Sequence, residues 1–262
     1  MLVALSDAGE RRIAERGMTA EPFRCPMCEG RVILKRGRNV AAHFAHLPGA
    51  LCPYAEAESW RHLLAKQVLM EEFHKRGWYA RLEVAHPDVG RRVDVGVRVP
   101  DGRGGFHYVA IEIQDSAIGV ETMKKRVALD KRKNYAATAW LFTSHRAAGL
   151  LVAAGTRIEV RVPKEMLWVV NRYGQGVPVI DPEQRAIQIA PLARVMRVGE
   201  SYSWFEPGGI EAGVDYPDRV LRSTHTVLPL REGGFDLSFA RGRFDRSVVV
   251  FGNESATSTA GS

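Results

Sequence analysis

The spacing of apolar residues changes period several times along this chain, and each change predicts an element. Leu2–Leu5 reads as a short strand, followed by a charged segment with room for a brief helical turn. Val32–Leu34 and Asn39–Ala41 read as a hairpin turning at Arg36-Gly37. From Tyr54 to Lys75 there is no Pro or Gly, and Trp60, Leu63, Leu64 and Val68 recur at helical spacing. Glu58, His62 and Lys66 recur at every fourth residue on another side of that helix, where favourable Glu–His and Glu–Lys pairs would sit on a solvated face. Gly77 ends it. Trp78–Val84 and Arg92–Val99 then alternate with period two around a turn at Pro87–Gly90. Arg91–Ser116 contains two strand runs joined by the turn-prone Asp101-Gly102-Arg103-Gly104-Gly105. In the second run Ala110, Glu112 and Gln114 fall on one face, and Val109, Ile111 and Ile113 on the other. Gly119–Ala137 is helical and basic, and Ala139–Phe142 is a buried strand. Helix, three strands, helix, strand is the order of a small α/β core: an antiparallel meander closed by a crossover helix.

The last third is less regular. Arg157–Val162 alternates as a strand, Leu167–Val170 is an apolar run, and Asn171–Gly176 is a turn before Val177–Ile180. Ala186–Val198, with Pro191 inside it, reads as strand–turn–strand or a short helix. Pro207-Gly208-Gly209 and Gly233-Gly234 interrupt the packing that Trp204, Phe205, Tyr216 and Phe235 suggest. The expected organisation is a metal-binding module over 1–55, an α/β core over 56–150, and a mainly β appendage over 151–262 that ends in a disordered tail from about Asn253.

Composition narrows the chemistry. The 262 residues carry a formal charge of +7, so an anionic partner is plausible, but the excess alone does not specify nucleic acid. Three Cys, two of them in Cys25-Pro26-Met27-Cys28, argue against a secreted disulfide scaffold and for metal binding in a reducing, cytoplasmic setting. The N-terminal stretch turns charged after five residues, unlike a signal peptide, and no run approaches the roughly 20 apolar residues of a membrane span.

The Cys25–Cys28 spacing is that of a zinc knuckle, with Gly30 supplying a flexible position. His43, His46 and Cys52 follow, giving five soft or borderline ligands for a tetrahedral ion that takes four. Cys25 and Cys28 with two of the other three would hold zinc, and the metal would supply folding energy to a segment poor in apolar area.

The strand pair brings a second chemistry. Antiparallel pairing would bring Asp94 across from Glu112, and two carboxylates on a hydrogen-bonded strand pair suit a hard divalent cation with room for water and phosphate. The plainer reading is a surface hairpin with ordinary polar residues on its wet face. Glu58 could point into the same cleft, with His62 and Lys66 contacting phosphate or orienting the carboxylates. Lys124, Lys125, Lys131 and Arg132 line the basic helix and would grip a DNA backbone.

Phe23-Arg-Cys25-Pro-Met-Cys28, His43-Phe-Ala-His46, Cys52, Glu58-Ser59 with His62 and Lys66, Arg92-Val-Asp94, Ile111-Glu112-Ile-Gln114-Asp-Ser116, Arg126, Tyr135 and Trp140 form an ordered series over residues 1 to about 145. Together they resemble the competence protein CoiA-like family. Its members pair a zinc-finger-like region with a nuclease domain of the restriction-endonuclease-like, or PD-(D/E)XK, superfamily. The resemblance implies that Asp94 and Glu112 match the motif's acidic residues, that Glu58 is a further acidic residue from the first core helix, and that Gln114 replaces the usual Lys. It implies a Mg- or Mn-dependent nuclease hydrolysing DNA, in uptake, recombination or defence against foreign DNA. The alternative is a catalytically inactive DNA-binding or DNA-processing accessory protein, and a DNA-processing protein partner is compatible with either. Gln can orient a water but carries no charge, so a lysine such as Lys66 or Lys124, or a second metal, would have to fill that deficit. Oligomeric state is not legible in the sequence.

Overall fold

The computed structural model describes residues 1–19, 21–37, 40–55, 58–101, 104–174, 176–241 and 247–252. Its N-terminal module is an antiparallel sheet of β1 (Val3–Ser6), β2 (Arg11–Ile13), β3 (Phe23–Arg24), β4 (Arg31–Lys35) and β5 (His43–His46), in the order β2-β1-β3-β4-β5. Two expectations change here. The charged segment after β1 turns back as β2 instead of coiling. Gly9, at φ +77°, makes the turn, in which the Ser6 N–H donates to the Glu10 carbonyl and the Gly9 N–H to that of Ser6. The partner of β4 is β5, not Asn39–Ala41, of which Asn39 lies outside the described residues. His43-Phe-Ala-His46 alternates so that Phe44 is buried against Phe23, 4.8 Å between ring centroids, and that burial selects the later register.

The first long helix, α1 (Trp60–Lys75), starts with the apolar stripe at Trp60, six residues after the Pro- and Gly-free run begins. Ser59 is extended, and its hydroxyl accepts the His62 N–H at 3.1 Å, so it caps the helix. Leu63, Val68, Leu69 and Phe73 face inward; Trp60 and Leu64 sit at the margin. Lys66 is also fully buried, which overturns the reading of its row as a solvated face.

The core continues with β6 (Ala80–His86), β7 (Arg91–Pro100), β8 (Phe106–Gln114), α2 (Val120–Arg132), β9 (Ala137–Thr143), α3 (Ala148–Ala153), β10 (Glu159–Arg161), α4 (Lys164–Tyr173), β11 (Val177–Asp181) and β12 (Ala186–Ala190). The Leu167–Val170 run and the first half of the expected turn are thus helical in α4, which stops where Gly174 adopts φ +81°. Pro191 separates β12 from β13 (Leu192–Arg197), the strand–turn–strand alternative. Beyond these come β14 (Ser201–Glu206), β15 (Ile210–Asp215), β16 (Arg219–Val227), β17 (Arg231–Glu232), β18 (Leu237–Arg241) and β19 (Ser247–Phe251); the expected disordered tail lies outside the described residues.

The central sheet has the order β17-β12-β11-β9-β8-β7-β6. Its β8–β9 and β9–β11 pairs are parallel, linked by helical crossovers, and its other pairs are antiparallel. Three strands from the last third therefore extend the core sheet. Val109, Ile111 and Ile113 pack with Leu63, Leu69 and Phe73 of α1. Trp140 and Phe142 pack on the other face with Met123, Met166 and Val169 of α2 and α4. Burial of each such side chain contributes about 1.5–3 kcal/mol. The hairpin β14–β15 stands apart from these layers, with Trp204 and Phe205 exposed.

One irregularity positions the site. In β6, Glu83 adopts φ +44° and pairing with β7 skips the Glu83–Asp94 position, while β7–β8 pairing starts only at Val95–Ile111. Val93 packs with Ala110 and Tyr135, whereas Val95 packs towards α1. The strand changes face at Asp94, as strands do at bulges beside functional sites.

Candidate functional site

In the N-terminal module, the turn after β3 places two thiols. The Cys25 N–H donates to the Gly30 carbonyl and the Glu29 N–H to the Cys25 carbonyl, with Glu29 at φ +57°. A Cβ at Gly30 would lie 3.2 Å from Cys28 Sγ, so glycine leaves the thiol its place. Strand β5 delivers His46, whose Nε2 is 3.4 Å from Cys28 Sγ, and Cys52 comes from the loop before α1. One ligand atom from each of Cys25, Cys28, His46 and Cys52 lies within 4.8 Å of the others. His43 is not in this group; its Nδ1 is 3.0 Å from the Ala41 carbonyl oxygen. Burial pushes the Cys25 thiol up to about 12 and holds the His46 pKa down. His46 is thus kept in its metal-ligating neutral form, and a cation bound at Cys25 would favour release of the thiol proton to solvent.

The second cluster lies in a cleft of roughly 350 Å³ between the start of α1, the ends of β7 and β8, and α2. Glu58, His62 and Asp94 offer an oxygen, a nitrogen and an oxygen within 4.8 Å of one another. His62 Nε2 is 3.1 Å from Asp94 Oδ2, which also accepts the Ile113 N–H at 3.0 Å. Burial alone would raise the Asp94 pKa, but the charge and hydrogen bond of His62, with Lys66, hold it well below the usual carboxylate range. Glu58 behaves alike: burial is outweighed by Lys66 at 2.8 Å, the Met1 amino group and Arg92 at 2.6 Å. Both carboxylates are therefore anionic and within reach of one cation, although Glu58 already faces Lys66 and Arg92.

Glu112 lies next to Asp94, as antiparallel pairing required, and one of its oxygens accepts the Asp94 N–H at 3.3 Å. Its charge, however, is met by Arg91 at 2.6 Å and Arg126 at 2.7 Å, and it is not among the three clustered groups. Burial raises its pKa despite those two cations. Gln114, also buried, and Arg126 line the cleft. Asp115 is held by Ser59 at 2.5 Å and by Thr143, which ties the cap of α1 to the end of β8.

Lys66, expected among the phosphate contacts, is instead enclosed between Glu58 and Glu83, 2.8 and 2.5 Å away, with no exposed surface. Those carboxylates raise its pKa against the effect of burial. It orients a carboxylate and does not face solvent. Lys124, Lys125, Lys131 and Arg132 are exposed on α2, with Lys124 also 2.8 Å from Glu121.

Sequence reasoning missed Glu83, Arg91 and Asp130. Arg91 bridges Glu112 to Asp130, which also accepts the Thr138 hydroxyl at 2.8 Å. A signal was present at Arg91, which is in phase with Val93, Val95 and Val97 on a face where burial demands a partner, whereas Glu83 is in phase with Arg81 and reads as outward-facing.

Residues 7–55 match the family model described as Competence protein CoiA, N-terminal domain, and residues 58–152 that described as Competence protein CoiA, nuclease-like domain. The Competence protein CoiA of Bacillus subtilis (strain 168) is 31% identical over 105 residues, 40% of this chain and 27% of that protein. The chain thus spans about a quarter of the length of this curated relative. No solved structure matches. With both family models in chain order over more than half of the 262 residues, this chain belongs to the competence protein CoiA-like family.

Proposed function

We propose that this chain is a metal-dependent nuclease that hydrolyses DNA phosphodiester bonds. The observation that carries this reading is the convergence of Glu58, His62 and Asp94 in one cleft, within a region similar to a nuclease-like domain. The order α1-β6-β7-β8-α2-β9 is compatible with a restriction-endonuclease-like core, in which Asp94 and Glu112 would take the motif's acidic positions. Asp94 and Glu58 would hold Mg or Mn directly, and the Ile113 carbonyl, at the end of β8, is a further oxygen. When bound, such an ion lowers the pKa of a water and offsets phosphoryl charge. Gln114 orients the attacking water by hydrogen bonding. Glu112 joins the ligand set when Arg126, a third exposed, exchanges its carboxylate for a DNA phosphate. The exposed lysines of α2 grip the backbone. A cation at Cys25, Cys28, His46 and Cys52 is structural, since all four positions of a tetrahedral ion are filled by protein, and zinc suits three thiolates and an imidazole.

The accessory-protein reading is favoured by one observation, the pairing of Glu112 with two arginines beside an uncharged Gln114. Single-turnover cleavage of labelled duplex, single-stranded and branched DNA with Mn²⁺ separates the two. Cleavage by wild type and none by Asp94→Ala supports the nuclease. Equal rates place the chemistry elsewhere, and no cleavage of any form, without Mn²⁺ binding, leaves the accessory protein. Elemental analysis of protein purified without added metal tests the zinc, which its absence would refute.

A further inference from the structure

Glu83 belongs to neither cluster, yet it touches the elements that carry both. Its Oε1 accepts the Leu2 N–H at 2.7 Å and the Lys66 ammonium at 2.5 Å, and its Oε2 accepts the Val3 N–H at 3.1 Å. The residue is fully buried and sits at φ +44°, a conformation that side chains other than glycine rarely adopt. A buried carboxylate bound to two backbone N–H groups of one module and to a lysine of the other is a joint between them.

We propose that Glu83 and Lys66 form a latch that couples metal binding in the Cys/His cluster to metal binding in the acidic cleft. The inference rests on the reading that Glu58 and Asp94 hold a divalent ion. On the module side, β3 pairs with β1 at Leu5–Arg24 and Ser6–Phe23, immediately before Cys25. The Phe44 N–H, between His43 and His46, donates to the Met1 carbonyl at 2.8 Å. Order imposed on Cys25 and His46 by a cation therefore reaches the backbone at Leu2 and Val3 through two strand contacts. On the cleft side, Lys66 divides its ammonium between Glu83 and Glu58. When β1 withdraws, Glu83 loses two of its donors while still buried. Among the described residues Glu83 then has only Lys66, at 2.5 Å, and Arg92, at 4.0 Å, to satisfy it, so the shared ammonium of Lys66 is committed to Glu83 at the expense of Glu58. Glu58 then keeps Arg92 but loses both contacts of its other oxygen, Lys66 and the Met1 amino group at 3.4 Å. Lys66 and Glu83 are thus positioning residues: they fix a ligand carboxylate without touching the ion.

Linkage makes the coupling reciprocal: whatever factor the first metal adds to affinity at the cleft, a cleft ion adds to affinity at the Cys/His cluster. The test titrates Mn²⁺ by calorimetry into full-length protein with the Cys/His metal loaded or stripped. It also measures retention of that metal against a competing chelator with and without saturating Mn²⁺. In wild type, stripping weakens Mn²⁺ binding at least about fivefold, the lower end of usual coupling, and saturating Mn²⁺ tightens retention by the same factor. In Glu83→Gln, which keeps the volume but not the charge, both metals bind and the coupling falls to what the Met1–Glu58 contact carries. Lys66→Met, which keeps an unbranched apolar body but not the ammonium, also reduces the coupling and weakens Mn²⁺ binding in both states, because Glu58 has lost its contact. Equal Mn²⁺ affinity in loaded and stripped wild type overturns the latch, as does full coupling in either variant. If Mn²⁺ binds in no state, the nuclease reading fails and amide hydrogen exchange of wild type decides the latch. Stripping then speeds exchange at Leu2, Val3 and the first turn of α1; a change confined to the N-terminal module refutes it.

Discussion

Three neighbouring polar residues in the cleft have different partners, and their substitutions should look different. Asp94 faces His62 and accepts a backbone N–H, so its loss removes a ligand and leaves the charged pairs around Glu58 and Glu112 in place. Asp94→Ala should abolish Mn²⁺-dependent cleavage while leaving DNA binding intact or tighter, as fluorescence anisotropy would show. Glu112 also neutralises the buried Arg91, so Glu112→Ala breaks a buried ion pair. A loss on the order of 3 kcal/mol in denaturant titration is expected, with the loss of activity. A stability within experimental error of wild type would show that Asp130 alone satisfies Arg91. Gln114→Ala removes only the orientation of a water and should keep measurable activity under single-turnover conditions.

At the scale of elements, α1 is placed by its cap. The Ser59 hydroxyl serves the His62 N–H and Asp115 together, so Ser59→Ala removes a cap and a tie to the end of β8. It should cost about 1 kcal/mol of stability and weaken Mn²⁺ binding through His62, whereas Ser59→Thr should retain both. The second helix is simpler. Neutralising Lys124, Lys125, Lys131 and Arg132 changes an exposed row and should leave the melting temperature nearly unaltered. The slope of log affinity for DNA against log salt should fall by up to about 0.9 per lost contact. An unchanged slope would mean the helix is only solvated.

For the whole molecule, the buried charges predict how acid acts. Glu58, Glu83 and Asp94 have folded pKa values depressed below their ordinary 4.5, 4.5 and 3.8, so they bind protons more weakly folded than unfolded. Their contribution is complete above pH 4.5 and is lost progressively as the pH falls through that value towards the depressed folded pKa. Glu112, with a raised pKa, acts in the opposite sense, favouring the folded state at low pH and losing that effect as the pH rises. Three against one, acid should destabilise the fold. Because Glu83 joins the N-terminal module to the core, amides of β1 should lose exchange protection with it. A melting temperature constant between pH 6 and 3.5 would contradict this account.

Much of this protein is determined locally. The Cys25–Cys28 turn depends on residues within a few positions, and Cys25 and Cys28 are two of the four side chains that cluster there. Period-two spacing set the faces of β8, so Val109, Ile111 and Ile113 lie in the core and Glu112 on the other side. The antiparallel relation of Asp94 to Glu112 follows from two strands and a turn. What the spacing could not determine is which charge meets which, because those partners come from distant segments. His43 and His46 are equivalent in pattern, yet only β5's register against β4 sends His46 to the thiols. Lys66 occupies a row that reads as solvated, and only Glu83, 17 residues away on a strand packed over α1, makes its burial tolerable. Arg91 and Arg126 claim Glu112 from two different elements, which no single element's pattern records. The last third read as an appendage because strands at a sheet's edge are short and interrupted by Gly and Pro. Their place in the central sheet was decided by burial of Val177, Val179 and Ile180 against the parallel strand β9, a long-range pairing that only the folded chain contains.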